Sequence, residues 1–284
     1  MNHVPAEFLN DVLRLSFVTG YKDRYTRLSG LIGKCANRFV DKGYLNVATI
    51  KNGSPQEHDF EFYDIFGKIL TFKPKCSKYA VQKYLVYDVI GDQVPSIDLT
   101  LPKKLAKFLA EPGVLNLGFY SRIIDDNWIK LFSSWRSLQY VGIYEPLTEP
   151  LRKLLNVLYD QEQLLYLFFS AVNYEFDDIK VIVKFLLQKQ FLSMSFHAFD
   201  QNVVNEILDK KRESGDLLRG KRVTWRSKAE LPDATFKRSE ARDLDFVRFE
   251  GKGMLVDYCN NTAYADIAND EFMKGVSLTL WRFI

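Results

Sequence analysis

The chain has 284 residues, of which 47% are hydrophobic and 26% are charged, so it can bury a core of ordinary size. The net charge is only +3, and the basic cluster at 210–222 is interrupted by acidic residues, so nucleic acid is not the predicted partner. The three cysteines, Cys35, Cys76 and Cys259, form no CxxC pair, which excludes a disulfide framework and a cysteine zinc site from the prediction. The first apolar stretch contains acidic residues and does not fit a secretory signal, so we expect a cytoplasmic or nuclear protein without a membrane partner.

The first two predicted elements are amphipathic helices over 4–16 and 24–39, with Pro5 just inside the first helix start. We expect residues 1–42 to form a small helical module, or alternatively a helical cap on the elements that follow. The apolar residues at helical spacing are Phe8, Leu9, Val12 and Leu13 in the first helix and Leu28, Leu31, Ile32, Cys35 and Phe39 in the second.

A β-hairpin is the next predicted element. Residues 44–53 and 60–72 alternate as strands do, and a polar segment joins them. We therefore assign 43–94 to a β-hairpin connector that caps the N-terminal side of the following domain.

Four strand-like segments then recur along the chain: "VLNLGF" (114–119), "SLQYVGI" (137–143), "LLYLFF" (164–169) and "FLSMSF" (191–196). Their equivalent leucines are spaced by 23, 27 and 27 residues, and "VTW" (223–225) follows after 31. Segments with helical spacing of apolar residues lie between them. Alternating strands and helices predict an α/β fold with a parallel sheet over 95–226. A non-repetitive α/β layer with coincidental spacing is the alternative.

Helix start signals accompany the repeats: Asp125, Glu149 with Pro150, Asp177 and Asp200 each precede a helical segment. The alternation of strands and helices also explains "LLYLFF", which belongs to the most apolar run of the chain. A parallel strand covered by helices and flanked by other strands is apolar on both faces. With its continuation to residue 172 the run has nine residues, too few to cross a bilayer, which needs about 20.

The C-terminal region, 227–284, is predicted to be a β-rich cap. Residues 243–259 indicate a hairpin that turns at Gly251-Lys252-Gly253, and 277–284 a final strand.

Two resemblances follow from these patterns. The array over 95–226 resembles degenerate leucine-rich repeats, although Tyr120, Ile143, Ser170 and His197 stand where that family has asparagine. Residues 4–39 resemble an F-box, with Val4-Pro5 in place of its Leu-Pro and Phe39 in place of its closing tryptophan. The combination is similar to the divergent F-box-like families expanded in nematodes.

These resemblances imply a substrate-recognition adaptor of a Skp1-cullin-F-box type ubiquitin ligase, without enzyme activity of its own. The alternative is a stand-alone interaction or immune-type recognition protein. The resemblance implies that a Skp1-type linker protein binds at Pro5, Phe8, Leu9, Val12, Leu13, Leu28, Leu31, Ile32 and Phe39.

An unknown client protein is expected to bind the face of the repeat strands that points away from the helices, because side chains alternate along a strand. Exposed aromatics are favoured at binding hot spots, so Tyr166 and Phe168 are the predicted anchors. The alternative is that a neighbouring segment covers Phe168, which is then core. The predicted face consists of Asn116, Gln139, Val141, Tyr166, Phe168, Ser193 and Ser195.

The sequence offers no motif of a known catalytic or nucleotide-binding site, and no cofactor or metal ligand set is predicted. His197 lies near Asp200, but a turn histidine beside a helix cap is favoured over a general base.

Overall fold

A computed structural model of the chain divides into two compact units, residues 1–140 and 141–284. Each contains both strands and helices, so the predicted α/β class is confirmed. The predicted F-box module and leucine-rich-repeat solenoid stay predictions. The structure describes residues 5–18, 25–55, 60–72, 74, 77–98, 100–239, 246–260 and 269–284.

The first unit begins with a helix pair and continues into strands. Its α-helices are α1 (Ala6–Val18), α2 (Gly30–Lys42), α3 (Leu101–Ala110) and α4 (Asp126–Ser133). Its strands are β1 (Tyr44–Lys51), β2 (Ser54–Pro55), β3 (Glu61–Asp64), β4 (Ala80–Asp88) and β5 (Val114–Phe119). Short 3-10 helices cover Tyr25–Arg27 and Ser77–Tyr79. The next strand, β6 (Leu138–Ile143), contains the boundary between the units.

The sheet of the first unit is mixed. β1 pairs antiparallel with β3, which confirms the predicted pairing between the segments at 44–53 and 60–72. β1 also pairs in parallel with β4, and β4 in parallel with β5. The sequence interpretation did not identify β4 as a separate strand. Its burial alternates along most of its length, which is the pattern of a strand with one face in the core.

The helix pair shares a hydrophobic core with this sheet. Leu13 of α1 and Phe39 of α2 pack in one cluster with Ile65 and with Val81 of β4. Arg14 reaches from α1 to the start of β4, where Nε donates a hydrogen bond of 3.2 Å to the Ala80 carbonyl oxygen. The helices are therefore held to the sheet by both apolar and polar contacts.

Lys83 of β4 is a buried cation at the end of α3. Its Nζ donates hydrogen bonds of 2.6 Å to the carbonyl oxygens of Leu109 and Glu111. Carbonyl groups at a helix C-terminus carry partial negative charge, so they are suitable partners for an ammonium group. Burial lowers the pKa of Lys83 to about 8, and the charge of Glu111 acts in the opposite direction.

This lowered pKa predicts how stability depends on pH. Between pH 8 and 10.5 the unfolded chain binds a proton at Lys83 that the folded chain has released, so raising the pH favours the folded state. We expect the free energy of unfolding of the wild type, relative to a Lys83→Met variant, to rise over this interval. Denaturant titrations at pH 7.5, 9 and 10 measure it. Lys103→Met removes an exposed amine of the same unit and is the control. The prediction would be wrong if the free energy of unfolding of the wild type, relative to Lys83→Met, stayed constant across these pH values.

The second unit alternates helices and strands before ending in antiparallel strands. Its helices are α5 (Glu149–Asp160), α6 (Phe176–Val183), α7 (Gln201–Leu218) and α8 (Asn269–Lys274), with a 3-10 helix at Lys184–Leu187. Its further strands are β7 (Tyr166–Phe169), β8 (Ser193–Phe196), β9 (Arg222–Trp225), β10 (Lys237–Arg238), β11 (Phe246–Gly251), β12 (Met254–Cys259) and β13 (Leu278–Phe283).

The strands β7, β8 and β9 are neighbours and parallel, as predicted for 164–169, 191–196 and 223–225. Beyond β9 the sheet continues with the antiparallel strands β13, β12, β11 and β10. One face packs in the core and carries a row of buried aromatic rings. Phe169 stacks on Phe196 at 5.7 Å, Phe196 on Trp225 at 6.2 Å, and Trp225 meets Trp281 at 4.6 Å between ring centroids.

Two of the four predicted helix caps are confirmed. Asp125 accepts hydrogen bonds from the backbone N–H groups of Asn127 and Trp128. Asp200 accepts them from those of Asn202 and Val203. The other two predicted caps were wrong by one or two residues. The N-cap of α5 is Thr148, so Pro150 lies inside the first turn, and the N-cap of α6 is Glu175 rather than Asp177. The reason in α6 is a capping box, in which Asp178 accepts a hydrogen bond from the Glu175 N–H.

The predicted C-terminal hairpin is confirmed as β11 and β12, which pair from Phe246 with Cys259 to Gly251 with Met254. Lys252 and Gly253 form the turn, and both have positive φ, 46° and 68°. This is the backbone of a tight two-residue hairpin turn that follows the twist of the strands. The predicted last strand is β13.

Candidate interaction surfaces

The helix pair exposes an apolar surface, which we call the helical face. Phe8 and Val12 lie one turn apart on α1. Leu28 lies just before the start of α2, and Leu31 lies in its first turn. Large exposed apolar side chains are candidates for a protein-binding surface. The exposed fractions are 59% for Phe8, 40% for Val12, 48% for Leu28 and 44% for Leu31.

Other residues predicted to bind the linker protein do not belong to this face. Leu9, Leu13 and Phe39 are buried, because one stripe of α1 and one of α2 pack against each other and against the sheet. Pro5 is exposed and Ile32 is half-buried. Val4 lies outside the described residues. The structure thus separates the apolar set of α1 into an inner pair and an outer pair.

The second unit has one sheet face that is not fully buried, which we call the open face. Its side chains alternate with the buried aromatic row, and register between paired strands places them side by side. The open face consists of Tyr166, Phe168, Ser193, Ser195, Arg222, Thr224, Arg226, Leu280, Arg282, Leu255, Asp257, Arg248 and Glu250.

The two predicted aromatic anchors lie on the open face but offer little surface. Tyr166 is 6% and Phe168 is 3% exposed, so the expectation that they stand exposed is wrong. Phe168 packs against Tyr144 with ring centroids 5.3 Å apart, and the Arg226 guanidinium lies over its ring at 4.8 Å. These contacts fit the alternative in which Phe168 is covered. Val141 is fully buried as well, whereas Ser193 and Ser195 are half-exposed.

Two predicted client-binding residues belong to the first unit. Asn116 of β5 is buried, like every other residue of that strand. Gln139 of β6 is half-exposed. The assignment of Asn116 and Gln139 to a client-binding surface stays a prediction.

The open face contains an ion-pair network that the sequence interpretation missed. Asp257 of β12 is only 2% exposed and is held by two arginines from the strands on either side. Arg248 donates two hydrogen bonds to the Asp257 carboxylate, from Nε to Oδ1 at 2.7 Å and from Nη2 to Oδ2 at 3.2 Å. Arg282 donates through Nη2 to Oδ2. The partners are 9 and 25 residues from Asp257 in sequence, and only strand pairing brings them together.

Two further arginines lie on the same face. Arg222 of β9 pairs directly with Arg282 of β13 across the sheet, although like charges at such positions destabilise a strand pair. Arg226 follows β9 and is exposed. Burial raises the pKa of Tyr166, and the charge of Arg222 acts in the opposite direction.

Asp200, which is near His197 in the sequence, acts as a helix cap in the structure. Its Oδ1 accepts hydrogen bonds from the Asn202 and Val203 N–H groups, and His197 is exposed. Among the residues that the structure describes, there is no group of three or more His, Cys, Asp or Glu side chains placed to hold a metal ion. In the same part of the chain, no helix is both long and apolar enough to cross a membrane.

Comparison of the chain with protein-family models, with curated proteins and with solved structures finds no match.

Proposed function

We propose that the protein is a non-enzymatic adaptor that binds a Skp1-type linker protein through the helical face and a client protein through the open face. Ubiquitin transfer would then be performed by other subunits of the ligase. The observation that carries the proposal is the exposure of Phe8, Val12, Leu28 and Leu31 on a helix pair that also buries Leu13, Cys35 and Phe39 in one cluster.

The arrangement of the helix pair supports binding without refolding. Leu13 and Phe39 already fix the two helices against each other and against β4, and Arg14 ties α1 to the sheet. A partner therefore meets helices that are already packed on the sheet, which reduces the conformational entropy lost on association. Burial of the four exposed apolar side chains would supply part of the binding free energy.

The test is co-purification of the full chain with a Skp1-type linker protein. We expect the double variant Phe8→Ala and Leu31→Ala to weaken binding roughly ten-fold or more, because both side chains belong to the proposed contact surface. The melting temperature should stay near that of the wild type, since both side chains are exposed.

A matched control removes two equally exposed apolar side chains elsewhere in the first unit. Phe66 is 63% and Ile69 is 62% exposed, and neither lies on the helical face. Phe66→Ala with Ile69→Ala should leave binding unchanged. Equal losses in both double variants, or full binding in the Phe8 and Leu31 variant, would contradict the proposed face. A wild-type chain that does not bind the linker protein would favour the alternative, a stand-alone interaction protein.

A further inference from the structure

The second helix of the first unit carries a row of basic side chains, Lys34, Arg38 and Lys42, which we call the basic row. They recur every four residues of α2 and are all exposed, so they lie along one side of the helix. Like charges at this spacing destabilise a helix, and Asp41 is the only acidic residue of α2. Among the residues that the structure describes, none forms an ion pair with Lys34 or Arg38. The basic row therefore attracts a partner of negative charge.

The basic row ends at a cleft of about 350 Å³ that Lys42, Phe72 and Tyr79 help to line, which we call the aromatic cleft. The Tyr79 ring is anchored in the core of the unit, where it meets Phe39 edge-on with ring centroids 5.8 Å apart. Phe72 is exposed. The ammonium groups of Lys42 and Lys78 lie 5.8 and 5.1 Å from the centre of the Tyr79 ring. The cleft thus combines aromatic walls with positive charge beside them.

We infer that the basic row and the aromatic cleft together bind an extended acidic segment of a partner protein, which places carboxylates along the row and one aromatic side chain in the cleft. Residues four apart on a helix recur about every 6 Å along its axis. Side chains on one side of an extended peptide recur about every 6.6 Å, because alternate residues point the same way. A segment with an acidic residue at every second position therefore matches the spacing of the basic row. The inference goes beyond the proposed function, because it uses none of the four residues of the helical face.

A phosphodiester or lipid phosphate fits this surface less well than a peptide. Asp41 and Asp64 also line the aromatic cleft. Their carboxylates repel phosphate groups, and a phosphodiester backbone offers only acceptors for hydrogen bonds. A peptide has backbone N–H groups as well as acidic side chains, so it can donate to a carboxylate at the cleft and accept from the basic row.

The test measures binding of the full chain to three fluorescein-labelled 12-residue peptides by anisotropy. The first peptide alternates Glu with Ser and has Phe at one central Glu position. The second has Gln at every remaining Glu position, and the third has Ser in place of the Phe. We expect the first peptide to bind at least ten-fold more tightly than either of the others, with an affinity that falls as the salt concentration rises.

Two variants separate the basic row from the aromatic cleft. Arg38→Gln with Lys42→Gln removes two charges of the row and should weaken binding of the first peptide ten-fold or more. Phe72→Ala should weaken binding of the first peptide but not of the third, because only the first has a side chain for the cleft. All three substituted side chains are exposed, so the melting temperature should stay near that of the wild type.

The control variant removes two exposed lysines with the same four-residue spacing from another helix of the unit. Lys103→Gln with Lys107→Gln on α3 should leave the affinity for the first peptide unchanged. Equal loss in the two double variants, equal binding of the Glu and Gln peptides, or an equal effect of Phe72→Ala on the first and third peptides would each overturn the inference. Tighter binding of a 12-nucleotide oligouridylate, or of vesicles that contain phosphatidylserine, would overturn it as well. Because the linker protein is absent from this measurement, its result is independent of whether the helical face binds that protein.

Discussion

Replacing Trp225 by Ala is expected to lower the free energy of unfolding of the second unit by about 3–5 kcal/mol, the range for large aromatic side chains removed from a packed core. Trp225 is fully buried in the aromatic row. Its ring stacks on Phe196 at an interplanar angle of 19°, and it meets Trp281 edge-on with centroids 4.6 Å apart. Its loss leaves a cavity between two rings that strand pairing keeps apart.

Denaturant unfolding, followed by far-UV circular dichroism, measures this effect. Val172→Ala removes an apolar side chain of the same unit that is more than half exposed, and it should change stability by less than about 0.5 kcal/mol. If Trp225→Ala cost no more than Val172→Ala, the aromatic row would not be the core of this unit.

Replacing Asp257 by Asn is expected to lower the free energy of unfolding by about 2 kcal/mol. The carboxylate accepts from both nitrogens of the Arg248 fork and from Arg282, and an amide cannot neutralise either guanidinium. Removing one partner of a fully buried ion pair costs about 3–5 kcal/mol. The arginine side chains retain 23% and 31% of their exposure, so water screens part of the loss and the smaller value is expected.

Asp209→Asn is the control for this substitution. Asp209 pairs with Arg212 on the surface of α7, where both side chains are largely exposed. Such surface pairs contribute about 0–1 kcal/mol, so the control should stay within roughly 0.5 kcal/mol of the wild type. Comparable losses at Asp209 and Asp257 would mean that the network on the open face is not held more firmly than a surface pair.

Much of the local structure followed from the sequence, because it depends on residues close together in the chain. Alternating and continuous apolar runs predicted the strands at 114–119, 164–169 and 191–196, and helical spacing predicted the helices between them. Asp125 and Asp200 marked helix starts, since a side-chain oxygen caps N–H groups only two or three residues away. The turn at Lys252 and Gly253 was readable for the same reason.

The tertiary structure decided which of these side chains are available for binding. Periodicity placed Phe8 and Leu9 on one face of α1, but in the folded unit Leu9 is buried and Phe8 is exposed. It also placed Phe168 on the outer side of its strand, where a ring from 24 residues earlier and an arginine from 58 residues later cover it. The ion-pair network at Asp257 depends on the pairing of three strands. Burial and charge at these sites are set by contacts between residues distant in sequence, and a local pattern carries no information about such contacts.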